Sequence, residues 1–159
     1  MASTNPVSTV FFDLGATLVD AVLKPDGSLK AFIVLPGARE ALQALKKKKI
    51  RMGIISHNGS HPPAAVRKAL TGARLLPFFT KKLILLASEV RLDKTSPAIF
   101  RLALDRAGAG DPREWLFVGE DPDEICRPFM EGYGGFEDAV GYGRRGRMGQ
   151  VQSAPVTSS

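Results

Sequence analysis

The chain has 159 residues, a formal net charge of +6 and one cysteine, Cys126. That length suits one domain with a substantial core, and a single cysteine excludes an internal disulfide. No run of 18 apolar residues occurs and the opening MASTNP lacks the basic and apolar parts of a signal peptide, so no membrane span is expected and a reducing cytoplasm is.

Residues 7–13, ending VFFD, read as a first buried strand. Pro25-Asp26-Gly27 then marks a turn between two short extended runs, so residues 21–34 read as a small hairpin. Pro36 and Gly37 open a helix with Ala38, Ala41, Leu42 and Leu45 on one face. The Lys46–Lys49 run at its end complements the helix dipole and stays solvated. Ile50–Ile55 is a second strand, whose continuous apolar end fits a parallel sheet covered on both faces.

Past the break SHNGSHPP, residues 63–70 form a short helix and Leu83–Leu86 a third strand. Ser96 and Pro97 are the N-cap and first-turn proline of a helix to about Ala107, which Gly108 and Gly110 stop. Residues 115–119 are the fourth strand, 121–131 a helix and 136–140 a weak fifth strand. This alternation predicts an α/β fold: a doubly wound, Rossmann-like parallel sheet of about five strands, with helices on both faces and a small hairpin flap. Residues 1–143 form the single domain. Residues 144–159, with Arg144, Arg145 and Arg147 but no apolar period, are expected to be a disordered basic tail. Without aromatic interleaving or a recognisable motif, this basic cluster predicts no nucleic-acid binding.

Ligands of such sheets bind beyond the carboxyl ends of the strands. Asp13 and Thr17 follow the first strand; Ser56, His57 and Asn58 the second; Glu89 and Lys94 the third; Glu120, Asp121, Asp123 and Glu124 the fourth. This set suits phosphoryl chemistry. Carboxylates from two strand ends can hold Mg²⁺, which prefers oxygen ligands. Lys94 and the metal would neutralise a phosphate, and the Ser56 hydroxyl would bind its oxygens. Asp13 would be the covalent nucleophile, as in aspartyl-phosphate chemistry. His57 and His61 have a helical spacing, but Gly59 and Pro62 oppose a helix there, so no histidine metal site is expected. Cys126 reads as a small packed residue, and Asp20 and Asp26 as turn or flap acids.

Four ordered segments resemble the motifs of the haloacid dehalogenase-like (HAD) superfamily of phosphatases and relatives. FFDLGATLV is similar to its first motif, with Asp13 as nucleophile and Thr17 at its usual place. IISHNG is similar to the second, with Ser56 as the phosphate-binding hydroxyl; LDKTSPAIF to the third, marking Lys94; and LFVGEDPDE to the fourth, with acidic metal ligands. The resemblance spans roughly residues 8–125. It implies an Mg²⁺-dependent phosphohydrolase, with Thr17 and Asn58 at the substrate and orienting the loops. It also implies a metal held by Asp13, the Gly15 backbone carbonyl, Glu120 or Asp121, and Glu124, with Asp123 a rival for the last.

Two positions depart from the family pattern. Gly15 stands where a second aspartate usually serves as general acid and base, and Glu120 where the fourth motif usually has Asp. No further domain fits between Asp13 and Ser56 or between Ser56 and Lys94. The resemblance therefore implies a capless member with an open site. Such members take large substrates or borrow a lid from a partner subunit, so the expected partners are a phosphorylated small molecule or macromolecule and a covering second copy or partner. Two other readings stand beside hydrolysis. One is a catalytically impaired relative that binds a partner or phosphate ligand. The other is carbon–halogen hydrolysis, which uses the same aspartate without a metal and which the missing cap disfavours.

Overall fold

The computed structural model describes residues 7–92, 98–108, 114–119 and 152–153. A central sheet has the strand order β5-β4-β1-β6-β7, built from β1 (Thr9–Phe12), β4 (Arg51–Ser56), β5 (Ile84–Leu86), β6 (Trp115–Val118) and β7 (Gln152–Ser153). β1 pairs in parallel with β4 and β6, and β4 with β5. The four-stranded parallel core and its flanking helices agree with the doubly wound reading. β7 runs antiparallel to β6. It falls in the stretch expected as a tail, so these two residues lie on the sheet edge instead. The proposed helix 121–131 and strand 136–140 lie outside the described residues.

Consecutive β1 side chains point to opposite faces and all are buried. Val10 and Phe12 enter one core with Leu42 of helix α1 (Ala38–Lys47) and Val66 and Leu70 of α2 (Pro63–Gly72). Phe11 enters the other with Ile99, Phe100 and Ala103 of α4 (Ala98–Ala107) and with Trp115 and Phe117. Both faces are thus covered, which is why the strand sequences are apolar without alternation. Phe100 and Phe117 meet edge-to-face at 5.4 Å. Each buried Phe stabilises the fold by about 1.5–3 kcal/mol relative to exposure.

Gly53 allows β4 to lie against its neighbours. A Cβ there would meet the Leu83 carbonyl oxygen at 2.6 Å and Phe11 Cδ1 at 2.7 Å. Arg51, at the start of β4, donates to Thr9 Oγ1 at 3.2 Å and to the Ala107 carbonyl, joining the end of α4 to the sheet.

The hairpin is β2 (Val19–Leu23) paired with β3 (Leu29–Val34). Asp26 accepts bonds from the Ser28 N–H at 2.9 Å and the Ser28 hydroxyl at 2.6 Å, and Gly27 takes φ +86°. These bonds close the turn and hold the Asp26 carboxyl below its ordinary pKa. Leu23 and Ile33 on the hairpin are exposed. The lysines of α1 face solvent, and Lys46 Nζ also sits 5.6 Å from the centre of the Phe78 ring. No helix among the described residues is long and apolar enough to cross a membrane.

Candidate active site

Parallel pairing puts the carboxyl ends of β1, β4, β5 and β6 on one edge of the sheet. Phe12 is level with Ile54 and Val118, so Asp13 emerges one step beyond, between β4 and β6. Asp13 is 9% exposed, and its N–H donates to the Val118 carbonyl at 2.9 Å. Gly119 closes the β6 side: a Cβ built on it would lie 3.6 Å from the Asp13 Cβ and 2.9 Å from Phe117 Cε2. The glycine therefore lets the last described residue of that motif approach Asp13 closely.

The loop from Asp13 to β2 is a tight knot. The N–H groups of Thr17, Leu18 and Val19 all donate to the Leu14 carbonyl, and the Ala16 N–H donates to the Val19 carbonyl. The sequence suggests Gly15 as the residue that lets the chain turn sharply. The structure puts the left-handed conformation one residue later, at Ala16, with φ +58°. Gly15 is exposed, outside the left-handed region, and has nothing within 4 Å of the place its Cβ would occupy. Thr17 is 3% exposed, and its hydroxyl has no hydrogen-bond partner among the described residues. A buried hydroxyl without a partner is costly, about 1–3 kcal/mol.

Ser56 ends β4, is buried and is level with Leu86 of β5. Asn58 is also buried, but its amide is committed within the protein. Nδ2 donates to the His61 carbonyl and to Ser88 Oγ, both at 2.6 Å, and Oδ1 accepts from the Ser88 N–H at 3.1 Å. Asn58 therefore fastens the loop after β4 to α3 (Ala87–Val90). Glu89, an acid at the strand edge in the sequence, is drawn away by Arg67 of α2 through two 2.7 Å hydrogen bonds. Those bonds lower the Glu89 pKa and raise that of Arg67.

Asp13, Gly15, Thr17, Ser56 and Asn58 thus share one sheet edge. Lys94, Glu120, Asp121, Glu124, Asp123 and Cys126 lie outside the described residues. His57 is exposed and His61 half-buried, and no cluster of three or more potential metal ligands of the His, Cys, Asp or Glu type occurs among the described residues. Ser88 and Arg91, which the sequence does not single out, lie beside His57 and Asn58. Ser88 follows the third strand by two positions, so the strand-end rule that singled out Glu89 also covered it. Arg91 had no such signal.

A family model described as haloacid dehalogenase-like hydrolase matches residues 12–125. No curated protein matches the chain. Among solved structures, a HAD-superfamily hydrolase from Ehrlichia chaffeensis is 19% identical, with TM-score 0.62 and 77% of this chain and 83% of that one covered. A predicted phosphoglycolate phosphatase from Haemophilus somnus 129pt is 17% identical, with TM-score 0.65 and coverage of 82% and 84%. A dehalogenase with intermediate complex is 16% identical, with TM-score 0.68 and coverage of 85% and 88%. At these identities the three likenesses concern the fold.

Proposed function

Because the chain belongs to the haloacid dehalogenase-like hydrolase family, we propose that it hydrolyses phosphate monoesters through an aspartyl-phosphate on Asp13, with Mg²⁺, in a reducing cytoplasm. The observation that carries this reading is the placement of Asp13. A buried carboxylate ends the central strand, with the Ser56 strand on one side and the close-packed Gly119 backbone on the other.

The donor chemistry fits Mg²⁺. Asp13 and the Gly15 carbonyl offer oxygen, and Glu120, Asp121 and Glu124 follow directly on Gly119, which packs against Asp13. When bound, the ion would neutralise phosphate charge. The protein's residues do the rest. An Asp13 carboxylate oxygen bonds to phosphorus as the ester P–O bond breaks, and the leaving oxygen departs with the electron pair. Water then adds to phosphorus, the bond to Asp13 breaks and inorganic phosphate leaves. Ser56 and Lys94 hold phosphate oxygens, while Asn58 fixes the loop that carries Ser56 and Thr17 braces the loop that carries Asp13. The family resemblance implies an open site with the hairpin as its built-in cover, which is compatible with a large substrate, a second copy or a covering partner.

Gly15 favours a second reading, a protein that binds phosphate without turning it over, because the usual proton donor is missing. A screen of aryl and alkyl phosphates with and without Mg²⁺, on the natural protein and Asp13→Asn, separates the readings. Mg²⁺-dependent turnover lost in a variant that melts normally supports hydrolysis through Asp13. Unchanged turnover in the variant removes Asp13 from that role. No turnover, with phosphate raising the melting temperature, supports the second reading.

A further inference from the structure

Beside Ser56, on the β5 side, lies a cavity of about 230 Å³ between the loop after β4 and the chain from α3 to Leu92. His57, Asn58, Ser88 and Arg91 contribute its polar lining, with Ala87 and Leu92 its apolar part. Its hydrogen-bonding character follows from its neighbours. The His61 carbonyl can only accept and the Ser88 N–H can only donate, so both ends of the Asn58 amide are fixed in place. Nδ2 is thereby turned toward Ser88 Oγ, which must accept from it and keeps its own hydrogen to donate elsewhere. Asn58 has no donor left to offer.

The nearby acid is also removed. Arg67 holds both carboxylate oxygens of Glu89 from the α2 side. Among the described residues no carboxylate pairs with Arg91, and none lines the cavity. What remains is a guanidinium, a hydroxyl hydrogen and an imidazole beside a small apolar wall. Arg91 is held there at φ +57°, a left-handed conformation that disfavours a side-chain-bearing residue. Among the described residues the lining offers a guanidinium and a hydroxyl donor and no carboxylate, which suits an anion.

We propose that this cavity is a substrate subsite for a second anionic group, so that the preferred substrate is a phosphate monoester that also bears a carboxylate or a further phosphate. The inference rests on the phosphate site proposed above. The lining residues follow β4 and β5, and the midpoint of those two strands is about one and a half strand spacings, or roughly 7 Å, from β1, a span that one small molecule can bridge.

The test uses three aryl phosphonates of one skeleton, carrying a carboxamide, a carboxylate or a second phosphonate, with affinities measured by calorimetry. The natural protein should bind one of the two probes that are anionic at both ends at least ten-fold tighter than the carboxamide, as expected for a charge-assisted hydrogen-bonded contact. The better of the two identifies the anion. Arg91→Gly removes the guanidinium and suits the left-handed backbone, and should bring the affinity ratio close to one. Arg91→Lys, which keeps the charge, should restore part of the preference. Equal affinities in the natural protein, no measurable binding, or a preference that survives Arg91→Gly would overturn the subsite. Hydrolysis of the matching phosphates is assayed separately. A preference without turnover keeps the subsite and removes the phosphohydrolase reading, whereas turnover without a preference does the reverse.

Discussion

Gly15→Asp puts a carboxyl group where the first motif lacks one. The structure accommodates it: the glycine is exposed and outside the left-handed region, and a Cβ meets nothing within 4 Å. The substitution should move stability by less than about 1 kcal/mol, or roughly 2–4 °C in melting temperature for a domain of this size. Its chemical effect should be far larger. In the proposed mechanism Gly15 supplies no proton, so an ester's leaving group departs as an anion, which a phenol tolerates and an aliphatic alcohol does not. General acid–base assistance is worth about 10²–10⁴-fold, or roughly 2.7–5.4 kcal/mol of barrier at 1.36 kcal/mol per decade. The natural protein should therefore cleave aryl phosphates well ahead of alkyl phosphates and accumulate phosphorylated Asp13. Gly15→Asp should raise alkyl turnover by a factor within that range and shorten the life of the phosphoenzyme. The assay is steady-state hydrolysis of matched aryl and alkyl esters in Mg²⁺, with acid-quench trapping of the phosphoenzyme and a thermal melt of each protein. Equal aryl and alkyl rates in the natural protein would refute the reasoning. So would an unchanged ratio in a variant that melts normally.

Ala16 pays the left-handed strain that its glycine neighbour avoids, a cost of about 1–2 kcal/mol against about 0.5–1 kcal/mol for a glycine's extra chain freedom. Ala16→Gly should thus raise the melting temperature by about 1–4 °C, and a fall would show that packing of the Ala16 methyl outweighs the strain. Gly53→Ala should destabilise by about 1–3 kcal/mol, since its Cβ would press on the Leu83 backbone oxygen; urea unfolding measures this, and an unchanged midpoint would refute the close approach. Glu89, with its pKa lowered by Arg67, stabilises the fold above the ordinary glutamate pKa and loses that contribution as pH falls through its lower folded value. The pair is exposed and screened, so Glu89→Gln should lower the melting temperature by no more than about 2–4 °C at pH 7 and have no effect well below the folded value. A difference of the same size at both pH values would count against the ion pair.

Much of the fold is written locally. The apolar run through Phe12 with Asp13 at its end marks a buried strand and its exposed edge, and Pro25-Asp26-Gly27 carries its own turn chemistry in the bonds from Ser28 to Asp26. The features that escaped the sequence depend on distant partners. Asn58 looks like a group free to meet substrate, yet its amide is taken up by a serine thirty residues later. Ala16 has no local preference for a left-handed turn; bonds from Ala16 to Val19 and from the next three N–H groups to Leu14 impose it. The need for glycine at 53 appears only when β4 is set against Phe11 and Leu83. The strand-end rule places Glu89 at the same sheet edge as Asp13 but could not show that it turns toward Arg67.

The central place of β1 bears on how the chain is made. Thr9 finds its β4 neighbour at Arg51 and its β6 neighbour at Trp115. At about 5–20 residues per second, translation delivers the second of these roughly 5–20 s after Thr9. Throughout that interval the Val10-Phe11-Phe12 segment has at least one bare backbone edge, and Phe11 lacks the Phe117 side of its core. A nascent chain halted before residue 115 should therefore bind hydrophobic-strand chaperones and be readily cut by protease near β1, and release of the β6 segment from the ribosome should end both together.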